Sequence, residues 1–216
     1  MNFIPVEAMK KVLVSVFLVF IVCALNAQMS DAINKNDAGK VQTLAQKDST
    51  LLNRVDKNGS TPLYVAALGN NFEMVKLLVS LGARVNARNN DGSTALHGAA
   101  GSGNVSIIGY LLDHGANIEA HDNSFGTTPL VMAIMSNRPE ALKFFIKNGA
   151  DINAYSSIGS LPLFYAIIGK NKELIKILLD AGADVNKIMA KGLTPLTAAS
   201  ALGNQEIIKI FNDRGK

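Results

Sequence analysis

The sequence predicts an all-α solenoid, a stack of similar units each built from a glycine turn and two short helices. Two landmarks sharing one period carry this reading. Thr61-Pro62-Leu63, Thr94-Ala95-Leu96, Thr128-Pro129-Leu130, Leu161-Pro162-Leu163 and Thr194-Pro195-Leu196 recur at spacings of 33, 34, 33 and 33. Gly82-Ala83, Gly115-Ala116, Gly149-Ala150 and Gly182-Ala183 recur at 33, 34 and 33, and one more step lands on Gly215. Composition agrees. With 216 residues, 48% hydrophobic and 18% charged, the chain is long and apolar enough to bury a core, which excludes a disordered polymer.

The elements of each unit follow from residue type. Gly59, Gly92, Gly126, Gly159 and Gly192 sit just before the triplets, where a tight turn needs permissive backbone angles. Threonine then serves as an N-cap, and proline takes the first helical turn, where its missing N–H costs nothing. A short first helix carries small residues, Ala66-Ala67, Ala99-Ala100 and Ala198-Ala199, that let neighbouring helices approach. A second helix places apolar residues at i, i+3 and i+4: Met74, Leu77 and Leu78; Ile107, Tyr110 and Leu111; Leu174, Ile177 and Leu178. Gly82 and its equivalents stop that helix. Asn86, Asn153 and Asn186 fall in the loop beyond, where asparagine favours turns. Pro139 opens a second helix, and Pro5 lies in the leader.

The N-terminal segment reads as an address. Lys10-Lys11 precede an apolar stretch from Val12 to Leu25, relieved only by Ser15 and Cys23. Fourteen helical residues rise about 21 Å, short of the roughly 30 Å hydrocarbon core. A secretory signal peptide over 1–27 is therefore expected, cleaved after Ala27 or alternatively after Ala24. An uncleaved membrane anchor is the other reading, and both place the folded part outside the cytoplasm. Met9 is a more natural start than Met1. Val22 precedes Cys23 where lipoprotein processing wants a small residue, which argues against acylation there. Cleavage would leave a thiol-free chain, suited to an oxidising compartment.

On the residues Asp56-Lys57-Asn58-Gly59-Ser60-Thr61-Pro62-Leu63, Thr94-Ala95-Leu96-His97-Gly98-Ala99-Ala100 and Leu178-Leu179-Asp180-Ala181-Gly182-Ala183-Asp184-Val185-Asn186, the sequence resembles the ankyrin-repeat family. The resemblance covers about residues 29–216 and implies a β-turn and two antiparallel helices per unit. It departs modestly. Ala95 replaces the proline, Leu161 the threonine, and Tyr64, Val131, Phe164 and Thr197 stand where His97 keeps the family histidine. Expected boundaries are an N-terminal capping unit at 28–55 and repeats at 56–88, 89–121, 122–155, 156–188 and 189–216. Stepping back one common period from Leu77 puts Leu44 in the cap, and from Val85-Asn86 puts Leu52-Asn53 there. The cap's first helix, 30–35, reads as polar, and Asn212 polarises the last helix, as caps require.

Catalytic chemistry is not apparent. A single cysteine excludes a disulfide framework and a cysteine-based zinc module. His97, His114 and His121 fall at a structural position, a helix end and a turn, so no metal and no cofactor are expected. Gly101-Ser102-Gly103 lacks the rest of a phosphate loop, and neither a serine elbow nor a His-Glu-x-x-His sequence occurs. Net charge is +4 without a basic block, which gives no reason to expect nucleic acid.

Surface remains. The first two units offer polar turn tips with Lys57, Asn58, Arg88, Asn90, Asp91 and His121. The later ones offer Phe125, Met135, Tyr155, Ile158, Ile168, Ile188 and Leu193. The resemblance implies that a protein partner meets the tips and the exposed side of the first helices. The expected contacts are Arg88, Phe125, Met135, Tyr155, Ile158, Ile188 and Leu193. The single longer interval arises in Asn123-Ser124-Phe125-Gly126, so Phe125 is expected to project from a lengthened turn. A periplasmic or secreted monomer follows, with Lys76, Lys143, Lys176 and Lys209 as solvated residues of the second helices.

Overall fold

The computed structural model describes residues 6–203 and 205–212, with side-chain environments for 13–17 and from 21 onward. Met1, Pro5 and Gly215 lie outside the described residues. Twelve α-helices are found among those described, and no strand. After α1 (Val6–Asn34) and α2 (Ala38–Lys47) come five helix pairs: α3 (Pro62–Leu68) with α4 (Phe72–Ser80), α5 (Ala95–Ser102) with α6 (Val105–Asp113), α7 (Pro129–Met135) with α8 (Pro139–Lys147), α9 (Pro162–Ile168) with α10 (Lys172–Asp180), and α11 (Pro195–Ala201) with α12 (Gln205–Asn212). The first helices pack in sequence, α3 on α5 on α7 on α9 on α11, and the second helices form a parallel layer behind them. One core runs through the stack.

Local chemistry starts each pair as the residue types require. The Thr61, Thr128 and Thr194 hydroxyls accept the backbone N–H groups of Tyr64, Val131 and Thr197. Leu161 caps nothing. It is buried instead, packing with Met189 and Ala198 beneath the last tip. Gly82, Gly115, Gly149 and Gly182 all take positive φ between 81° and 96°, which ends the second helices. Gly98 serves closeness rather than turning: a Cβ there would sit 3.0 Å from the Tyr64 carbonyl oxygen and 3.2 Å from the Leu68 nitrogen.

The second helices differ from the expected spacing. Their fully buried residues fall at i, i+1 and i+4: Met74, Val75, Leu78; Ile107, Ile108, Leu111; Ala141, Leu142, Phe145; Leu174, Ile175, Leu178. Leu77, Tyr110 and Ile177 are only half-buried. Each second helix touches its own first helix and a neighbouring second helix, so the buried stripe widens sideways and its flank is shared between units.

The N-terminal unit carries two corrections. Its helices align with the next unit one position beyond the common period: Asn36 matches Asn70, both at positive φ, and Asp37 matches Asn71, both N-caps. Leu44 thus corresponds to the buried Leu78. A 3-10 turn at Ser49–Leu52 takes up the extra residue before Asn53. The first helix of the cap is also not simply polar, because Met29, Ala32 and Ile33 are buried against the core.

That helix is continuous with the N-terminal apolar segment. No glycine or proline interrupts Asn26-Ala27-Gln28-Met29, so α1 runs for 29 residues, a rise of about 44 Å. The span Leu13–Asn34 is long and apolar enough to cross a membrane by length and composition, a property signal sequences share. Measuring only the unbroken apolar run understates the helix. Leu13, Val14, Val16, Phe17 and Ile21 are exposed, and close packing on the core begins at Leu25.

Candidate docking face

The turn tips are held in a ladder. Asn90 N–H donates to Gly59 C=O at 2.8 Å, Asn123 N–H to Asp91 C=O at 2.7 Å, Ser157 N–H to Phe125 C=O at 2.9 Å and Ala190 N–H to Gly159 C=O at 3.0 Å. At the base of the tips, side chains bridge successive units. The Asn53, Asn86 and Asn153 side-chain oxygens accept the N–H groups of Arg84, Asn117 and Asp184, and Glu119 accepts that of Asp151. These asparagines therefore tie unit to unit as well as occupying turns.

The lengthened turn is organised by Asp122. One of its carboxylate oxygens accepts N–H groups from Ser124 and Phe125 at 3.0 Å and from Thr127 at 3.3 Å, and the other accepts the Thr127 hydroxyl. Partial burial works against the charge. The Thr127 hydroxyl and the three N–H groups outweigh it and hold the carboxyl below the usual range. The Phe125 backbone is thereby pinned while its ring is exposed.

His97 is enclosed within the stack, 1% exposed. Its Nδ1 accepts the Thr94 N–H at 3.1 Å, which leaves Nε2 to carry the hydrogen and donate to the Thr127 carbonyl, also at 3.1 Å. Burial pushes its pKa down, against the Thr127 carbonyl and Asp122, which favour the charged form. The ring joins α5 to the base of the lengthened turn. His114 donates Nδ1–H to the Tyr110 carbonyl at the end of α6, and the His121 side chain is exposed in a turn. Among the described residues no group of three or more His, Cys, Asp or Glu gathers as a metal site would need.

The expected apolar contact residues are individually exposed. Phe125, Met135, Tyr155, Ile158, Ile188 and Leu193 are between 40% (Leu193) and 66% (Ile188) exposed. They lie at recurring positions. Val55, Arg88, His121, Tyr155 and Ile188 are equivalents at the base of successive tips. Phe125 and Ile158 each stand three residues before their triplet. Leu68, Met135 and Ile168, all exposed, occupy the same last position of α3, α7 and α9. Gly101 holds that position in α5, so the apolar row is interrupted in the second repeat.

Two of these side chains already work inside the fold. Arg88 donates to the His121 carbonyl at 2.7 Å and to the Asn123 side chain at 2.8 Å. Tyr155 donates its hydroxyl to the Ile188 carbonyl at 2.8 Å, and Lys187 Nζ sits 4.5 Å from its ring centroid. Each reaches the carbonyl of its own equivalent in the next unit. Sequence reasoning missed this strut role, although the shared position was visible in the spacing. On the opposite layer, Lys76 and Lys143 pair with Glu73 and Glu140 at 2.7 Å.

A stack of turn-and-helix-pair units with laddered tips defines a repeat scaffold, and comparison with known proteins says which one. Family models described as ankyrin repeats match residues 44–99, 83–156 and 154–216. The chain belongs to the ankyrin-repeat family. It is similar to alpha-latrotoxin-Lg1a of Latrodectus geometricus, 46% identical over 22% of this chain and 4% of that protein. It is also similar to the serine/threonine-protein kinase VIK of Arabidopsis thaliana, 41% identical over 26% of this chain and 13% of the kinase. A third relative is ankyrin repeat domain-containing protein 35 of Homo sapiens, 31% identical over 29% of this chain and 6% of that protein. The chain spans at most 13% of these curated relatives. Ankyrin repeats generally mediate protein–protein binding and are typically non-enzymatic.

Proposed function

We propose that this protein is an exported ankyrin-repeat module that docks another protein on its turn tips and the exposed side of its first helices. The observation that carries the reading is the run of exposed apolar side chains at Phe125, Ile158, Ile188, Met135 and Ile168, on units whose backbone is pinned by the ladder. Clusters of large exposed apolar groups on a rigid scaffold mark interaction sites in soluble proteins, since a preformed surface loses little ordering entropy on binding. Within this reading the partner is an enzyme of the periplasm, which the module neutralises or supports. Action on host proteins after secretion is the alternative. Neighbouring genes discriminate: a toxin or lipase gene favours neutralisation, a redox enzyme gene favours support.

The test is capture from the native envelope fraction with the protein and with a Phe125→Ser/Ile158→Ser variant. A partner held by the first and lost by the second, with unchanged circular dichroism, supports the reading. Equal retention by both refutes it. A membrane-anchored scaffold is the second reading, favoured by the unbroken helix from the leader into the first unit. Mass spectrometry of the protein's N-terminus separates the two, since a mature chain starting at Gln28 excludes the anchor.

A further inference from the structure

The margins of the apolar face carry an excess of positive charge. In units three to five, the stretches that form the tip, the first helix and the turn after it are residues 123–138, 153–171 and 185–203. They contain four cations, Arg138, Lys170, Lys187 and Lys191, and no aspartate or glutamate, while Glu119 and Asp122 stand just before the first stretch, at positions that the other two stretches include. The first two units do not share this bias, since Asp56 and Asp91 accompany Lys57 and Arg88 at their tips. The acids beside the tips accept hydrogen bonds within the fold, Glu119 from the Asp151 N–H, and Glu140 beside the far margin pairs with Lys143. Asp122 holds the backbone of the lengthened turn, while Asp151 and Asp184 accept the N–H groups of Asn153 and Asn186 in the loops below the tips.

The cations also fall on both margins of the apolar row. Each first helix runs from a tip to the turn before its second helix. Lys187 and Lys191 therefore lie at the tip margin, and Arg138 and Lys170 at the far margin beyond Met135 and Ile168. Arg138 donates Nε–H to the Gly101 carbonyl at 3.0 Å, and Lys187 donates to the Asn153 carbonyl at 2.9 Å. Both charges are thus placed by the scaffold. Lys170 and Lys191 are exposed.

Resting on the docking reading above, we propose that the partner segment received by units three to five is acidic and amphipathic, its apolar side chains meeting Phe125, Ile158 and Ile168 and its carboxylates meeting the two cationic margins. Electrostatic complementarity of this kind selects partners and sets salt dependence, while the apolar anchors supply most of the affinity. An acidic segment would meet cations on both margins, while the Asp122 carboxylate at the lengthened turn is engaged with the Thr127 hydroxyl and the N–H groups of Ser124 and Phe125; a basic segment would be repelled from both sides.

The experiment is selection of a random peptide display library on the immobilised full-length protein, with circular dichroism to verify each variant. Enriched peptides are expected to combine apolar residues with net negative charge. Their affinity is expected to fall about tenfold against Lys170→Glu/Lys191→Glu, and to be lost against Phe125→Ser/Ile158→Ser. Enrichment that is lost with Phe125→Ser/Ile158→Ser but shows no acidic bias overturns the charge inference and leaves the docking face standing. Enrichment indifferent to Phe125→Ser/Ile158→Ser, or no enrichment at all, overturns both.

Discussion

Replacing His97 with alanine tests the joint between the second and third repeats. Two buried groups lose their partner, the Thr94 N–H and the Thr127 carbonyl, each held at 3.1 Å. Leaving a buried polar group unsatisfied costs about 1–3 kcal/mol. The combined loss is expected to be about 3 kcal/mol, a large share of the roughly 5–15 kcal/mol that stabilises a typical domain. Urea unfolding followed by circular dichroism measures it, and a loss below about 1 kcal/mol would refute the account of His97 as a buried bridge. The ring also imposes a pH dependence. Its folded pKa lies below the ordinary 6.5 because burial disfavours the imidazolium, and protonating Nδ1 would set it against the Thr94 N–H. The unfolded chain therefore binds a proton that the folded one refuses. Stability from neutral His97 is full above about pH 6.5 and declines as pH falls through that value, by up to ~1.4 kcal/mol per pH unit. His97→Gln should flatten this slope. An identical slope in the two would show that the ring does not titrate as argued.

Three further outcomes follow from the packing. Gly98→Val should cost about 2–3 kcal/mol in urea unfolding, because its Cβ meets main chain of α3 at 3.0 and 3.2 Å on a helix that cannot move alone; unchanged stability would contradict the close approach. Tyr155→Phe removes the hydroxyl bond to Ile188 yet keeps the exposed ring, so a loss of about 0.5–1 kcal/mol is expected, with partner capture retained. A chain beginning at Gln28 keeps Met29, Ala32 and Ile33 on the core, whereas one beginning at Lys35 discards them. The shorter chain should be less stable by about 3–5 kcal/mol, and equal urea midpoints would show that the end of α1 is not part of the folded stack.

Recurrence is what made so much of this protein legible. The glycine, threonine and proline positions act through local backbone rules, φ > 0 at the turns and caps at the helix starts, so their common period suffices to place each helix pair. The same logic located the exposed residues, since Phe125, Tyr155 and Ile158 sit at tip positions where a regular unit needs no apolar side chain. Contacts between units were less accessible. The i, i+1, i+4 burial of Met74, Val75 and Leu78 reflects two packing neighbours, and an amphipathic pattern drawn for one helix on one core cannot express that.

The sequence by itself determined the repeat, its length, its lengthened turn and the apolar character of the later tips, because each depends on residue type at a fixed offset. Only the tertiary structure decided how units join. It turned the cap by one residue against the expected register. It assigned Arg88 and Tyr155 as struts to the next tip, and His97 as a bridge into it. It also fused the N-terminal apolar segment to the first unit in one helix. These are distances between groups in different repeats, set by how neighbouring units stack, and no pattern confined to one unit contains them.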